Sequence, residues 1–240
     1  MSPSPLWYTT RGLGLVLLIA ASAVVVLGIA TTRRWKTEGW PAFLTAGLHR
    51  NLSLLVVALL PLHALAAVLD PFAHLGLVDV SVPFATAYRP LWLGLGVLAG
   101  ELVIAVTLVS LVRGWLGFGL WKLTHWTAYA AWPLAVLHGL GTGSDTKQGW
   151  VLVIYAVCVG AALLAMLVRL LSGGRIGGWR APGAVAAIAG FAALVVWTAS
   201  GPLQPGWAAA AGTPKDLLPG SAQHAAAPAA GAGQAGGRAS

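Results

Sequence analysis

Charge is scarce in this chain. Only 8% of its 240 residues are Asp, Glu, Lys or Arg, against about a quarter in an ordinary soluble domain. That shortage excludes a free-standing cytosolic enzyme, and 58% hydrophobic content excludes a disordered chain. Acid is rarest: 6 Asp+Glu against 14 Lys+Arg leave a formal net charge of +8. A basic balance can signal nucleic acid. Here the cations fall in short gaps between long apolar runs, so they read as membrane-topology signals, and no nucleic-acid partner is expected. Cysteine is nearly absent. The lone Cys158 excludes an intramolecular disulfide framework and a Cys-based metal cluster, and reads as a small buried hydrophobe.

Apolar length is what the chain has. A helix crossing about 30 Å of hydrocarbon needs roughly 20 apolar residues, and six stretches qualify: 13–30, 52–69 (starting nearer Pro41), 91–112, 124–141, 150–168 and 181–201. The first reads as a span and not a signal peptide. Its core exceeds a signal h-region, and Arg33, Arg34 and Lys36 follow it like a stop-transfer flank. Many of the 12 Trp lie at the ends of these runs, where aromatic belts sit. Gly28, Gly94, Gly96, Gly100, Gly160 and Gly190 lie inside spans and favour close helix packing. The gaps after spans one, three and five hold nine Lys/Arg, while the termini and the other gaps hold five. Positive-inside asymmetry then puts both termini outside. The expectation is an all-α, polytopic six-helix bundle in the lipid bilayer over residues 1–201. An Ala/Gly/Pro-rich flexible external tail is expected over 202–240.

Histidine inside a span points to function, because an unpaired polar ring in lipid is costly. Four of the six His fall in spans: His49 and His63 in the second, His125 and His138 in the fourth. Their separations of 14 and 13 residues correspond to roughly 21 and 20 Å along a helix. Spans two and four run in the same direction, so the four rings form two cross-helix pairs at matched depths. A single span histidine is as readily a hydrogen-bonded packing residue; four in matched order favour ligation. Two imidazoles can fill both axial positions of a haem iron. Copper or zinc would want Cys or Asp beside these rings, and spans two and four supply neither. The rotation is uneven: 14 residues return to within roughly 40° of one face, whereas 13 miss by roughly 140°. Pro61 and Pro133 are the visible sources of a correcting kink.

These pairs on alternate spans, with the strings Gly47-Leu48-His49-Arg50-Asn51-Leu52, Trp121-Lys122-Leu123-Thr124-His125-Trp126 and His138-Gly139-Leu140, resemble the haem-binding transmembrane domain of ferric reductases and NADPH oxidases. The haem subunit of the bacterial periplasmic methionine sulfoxide reductase system belongs to the same broad family. The resemblance covers roughly residues 10–200. It implies two haem b groups, an inner one on His49 and His125 and an outer one on His63 and His138. It further implies an oxidoreductase component in a bacterial plasma membrane, carrying electrons outward. The donor would be a cytoplasmic flavoprotein or quinol. The acceptor would be an external molecule or flavin-binding partner. Larger members carry a cytoplasmic FAD and NAD(P)H domain, which this chain lacks; flavin would sit on a partner, and quinone is a further cofactor candidate.

Among second-line residues, Arg50 is the best-placed cation for an anionic haem propionate. Arg113, Lys122, Arg89 and Lys147 read as topology charges. Glu101, in span three, is expected to face the bundle interior or water, as a proton or quinone contact or a hydrogen-bonded packing group. His74 and His224 read as surface residues. The glycine run 139–143 follows a membrane helix, not a strand, and is discounted as a nucleotide loop. Two haem-free alternatives remain, an ion or proton transporter relaying through these His and Glu101, and a passive anchor subunit of a redox complex. Within the haem readings, an ascorbate-reducible cytochrome is the nearest rival, but it spreads its ligands over four helices.

Overall fold

Helix is the only regular secondary structure in the computed structural model, which describes residues 4–32, 41–172 and 178–218. In chain order the helices are α1 (Pro5–Thr32), α2 (Ala42–Leu69), α3 (Pro90–Leu111), α4 (Arg113–Trp126), α5 (Ala128–Thr142), α6 (Gly149–Leu171), α7 (Arg180–Ser200) and the single turn α8 (Trp207–Ala210). Five of them, α1, α2, α3, α6 and α7, are long and apolar enough to cross a membrane. Helix is forced on such runs, because a backbone in hydrocarbon must satisfy its polar groups within its own segment. Local chemistry sets the ends. α2 stops at Asp70, in extended conformation before Pro71, as residues preceding proline prefer. α3 opens with Pro90 at its first position, where a missing N–H costs nothing.

The fourth expected span differs from its reading as one helix. α5 has 15 residues, about 22 Å, short of the hydrocarbon thickness. The preceding α4 is itself broken at Gly117, whose φ of 77° and ψ of 160° are non-helical. Thr127 separates α4 from α5. Its N–H and hydroxyl both bond to the Thr124 carbonyl, at 3.0 and 2.7 Å, and tighten the turn. Pro61 and Pro133, in contrast, lie inside α2 and α5 without ending them.

α1 packs against α2, α5 and α6; α3 packs against α2, α4 and α5; α7 closes on α6. The core, Leu18, Val136, Leu140, Cys158 and Val159, lies where α1, α5 and α6 meet, with Phe191, Leu194 and Trp197 of α7 against it. Cys158 is buried there. Leu65, Val153, Val157, Leu164, Val185 and Val196 point outward and are exposed. So much apolar surface on a lone chain belongs against lipid. One buried polar tie joins α1 to α5: Trp132 Nε1 donates to Ser22 Oγ at 3.0 Å, and Ser22 donates to the Leu18 carbonyl at 2.7 Å. Trp132→Phe is expected to cost about 1 kcal/mol, read as a lowered unfolding midpoint in detergent with unchanged helicity.

One end of the bundle is a folded cap. It gathers the start of α1, the loop between α2 and α3, and the segment after α7. The chain does not become a tail at 202: Pro202, Ala211 and Thr213 are buried, and Trp207 packs against Trp92 and Trp197 at 5.4 and 5.8 Å between ring centres. The ordered fold thus continues to 218. The rest of the expected tail, with His224, lies outside the described residues, as do the cations Arg33, Arg34, Lys36 and Arg175.

Candidate functional site

The four span histidines face one another as two rungs. His49 and His125 have ring centroids 6.2 Å apart, and His63 and His138 have theirs 6.4 Å apart, with the planes inclined at 68° and 89°. α2 and α5 are not among the closely packed helix pairs, so the rings meet between helices that are not in extensive contact. An imidazole nitrogen binds a first-row metal at about 2.0–2.1 Å, so two axial imidazoles place their ring centres about 6.3 Å apart. Both rungs match that separation. The boundary at Thr127 falls within the 13-residue interval, with His125 on α4 and His138 on α5.

Three of the four rings sit in one repeated socket. His63 Nδ1 donates to the Thr10 carbonyl at 2.9 Å, His49 Nδ1 to Val24 at 3.0 Å, and His138 Nδ1 to Trp92 at 3.0 Å. Four residues after each acceptor stands a glycine: Gly14, Gly28 and Gly96. A Cβ at Gly14 or Gly28 would meet the His63 or His49 ring at 3.3 or 3.2 Å, and one at Gly96 would overlap the His138 ring. The glycine lets the imidazole lie on the helix and reach a carbonyl one turn back. A ring that donates through Nδ1 turns Nε2 to its far side, the tautomer and orientation that axial ligands need. The two sockets on α1 repeat after 14 residues, the interval between His49 and His63. Sequence reading assigned Gly28 and Gly96 to helix packing and passed over Gly14, Thr10, Val24 and Trp92.

The fourth ring is different. His125 Nδ1 is buried without a hydrogen-bond partner among the described residues, and the ring stacks on Trp121 at 5.0 Å and 24°. Trp121 Nε1 donates to Ser110 Oγ at 3.2 Å, and Ser110 donates to the Val106 carbonyl at 2.7 Å.

The remaining candidates separate by position. Arg50 is exposed at the α4 end, beside His49. Of the two expected settings for Glu101, bundle interior or water, the structure shows it exposed on α3, off the face that Trp92 and Gly96 turn to His138. His74 is exposed in the cap loop. Arg89 is buried and structural. Arg11 lies one residue from the His63 acceptor Thr10 and pairs with Asp145 at 2.6 Å. The glycine run ends α5: Gly141 lies under Trp92 and Gly143 caps the helix.

Among the described residues no three His, Cys, Asp or Glu side chains cluster as a metal site. A bis-imidazole haem needs only two protein ligands per iron, since the porphyrin supplies the other four donors. No protein-family model, curated protein or solved structure matches the chain.

Proposed function

We propose that this chain is a ferric reductase-like electron-transfer subunit that binds two b-type haems. The observation that carries the reading is the pair of rungs, each with its rings at the separation of two axial ligands on one iron. Three of the four imidazoles are already fixed through Nδ1 by backbone carbonyls. When bound, haem supplies one-electron redox chemistry. The chain's part would be to hold each iron between two imidazoles and line the path with apolar helices. Arg50 supplies a cation for the propionates of the inner group.

The sixth crossing is made by α5 with the second half of α4, bent at Thr127. The α4 end then faces the cytoplasm and the cap faces outside. Electrons enter from a cytoplasmic flavoprotein or a quinol at the His49–His125 rung and leave from the His63–His138 rung to an external acceptor or flavin-binding partner, across a bacterial plasma membrane. The purified full chain, expressed with haem supplied, is expected to give a reduced-minus-oxidised spectrum of low-spin b-type haem and two haems per chain by pyridine haemochrome. A colourless protein would end this reading in favour of a haem-free transporter or anchor.

A further inference from the structure

Three histidine sockets share one pattern, a carbonyl acceptor followed four residues later by glycine. The corresponding place for His125 breaks it. Trp92 and Gly96 serve His138 on α3; a 14-residue step along α3, the interval separating the two sockets of α1, arrives at Val106 and Ser110. There glycine is replaced by serine. Its hydroxyl takes the Val106 carbonyl at 2.7 Å, and the Trp121 indole is anchored on that hydroxyl at 3.2 Å while stacking on His125. Acceptor and space are both occupied, and His125 Nδ1 is left buried without a partner among the described residues.

We propose that His125 is the exchangeable ligand of the inner site, and that a small neutral diatomic molecule binds the reduced inner iron in its place. This rests on the haem reading above. An N–H donated to a carbonyl raises the basicity of the ligating nitrogen and holds the ring in place; loss of such a partner typically weakens metal binding 10–100-fold. His49, His63 and His138 have that support, and His125 does not. The outer iron is therefore locked between two anchored rings, while the inner iron is held firmly from one side only. The two rungs, alike in spacing, are unlike in chemistry.

The test uses the full chain in detergent with both haems bound, reduced with dithionite and titrated with carbon monoxide. The expected result is a carbon monoxide difference spectrum accounting for one haem of the two. Ser110→Gly releases the Val106 carbonyl, removes the anchor of Trp121 and rebuilds the missing socket; carbon monoxide affinity should then fall tenfold or more. Ser110→Ala releases the carbonyl but keeps a Cβ, and should move the affinity the same way by a smaller factor, which covers a failure of Ser110→Gly to fold. A protein with two haems that are both inert to carbon monoxide would overturn the inference and leave the haem reading standing. So would binding that neither Ser110 variant changes. A protein without haem would instead remove the reading on which the inference rests.

Discussion

Gly96→Leu should halve the haem content, from two groups per chain to one, with the loss confined to the outer site. Gly96 is where α3 lies closest to the His138 ring: even a Cβ there would overlap the imidazole. A leucine cannot be accommodated by a rotamer change of His138, because the ring is also tied through Nδ1 to the Trp92 carbonyl at 3.0 Å on the same helix. Either the ring leaves or α3 moves away from α5, and each opens the His63–His138 rung beyond the 6.4 Å at which its rings now stand. The His49–His125 rung, farther along the helices, keeps its own ligands. Gly28→Ala is milder, since its Cβ would meet the His49 ring at 3.2 Å; a shift of a few tenths of an ångström relieves it, and the inner group should be held more weakly but not lost. Gly160→Leu is the control, because nothing lies within 4 Å of a Cβ there, and two haems should remain. Haemochrome stoichiometry with circular dichroism separates these outcomes. Two haems with an unaltered spectrum in Gly96→Leu would show that the His138 ring does not hold iron in the geometry described.

The sequence carried the histidine ladder plainly, because polar rings inside apolar runs stand out against a uniform background. The sockets were written there too, as Thr10 and Gly14 repeated at Val24 and Gly28. That repeat acquires meaning only when α1 is known to lie against α2. A glycine in a membrane helix has many uses, and a backbone carbonyl has no residue signature at all. The break near His125 was misplaced for a related reason. Proline is the visible helix breaker, yet Pro133 stays within α5 and the chain turns at Thr127, where a short hydroxyl bond to the Thr124 carbonyl competes with the regular ladder. The segment after 201 reads as a flexible tail because it is rich in Ala, Gly and Pro. Three aromatic rings and one arginine, distant in sequence, hold it down.

That arginine sets the second large effect. Arg89→Ala should lower the thermal unfolding midpoint in detergent by about 8–15 °C, for a loss of about 3–5 kcal/mol. Arg89 is only 5% exposed. Its guanidinium donates to the Gly141 and Thr142 carbonyls at 3.1 and 3.0 Å and to Thr213 Oγ1 at 2.9 Å. The two carbonyls end α5, so a cation there also answers the negative end of the helix dipole. Its backbone N–H donates to the Gly212 carbonyl at 3.0 Å. One side chain thus joins the start of α3, the end of α5 and the segment after α7. Arg89→Lys keeps the charge but loses the fork, and should recover only part of the stability. The loss should also reach the outer rung. Trp92 carries the carbonyl that orients His138, and its indole lies in the cluster with Trp197 and Trp207, at 4.9 and 5.4 Å, that the capping segment completes. Releasing the cap loosens the residue on which His138 leans. On mild heating Arg89→Ala should therefore lose one haem before the second, at a temperature where wild type holds both, and residues 202–218 should become open to protease at the same point. Simultaneous loss of both haems with the cap still protected would separate Arg89 from the outer site.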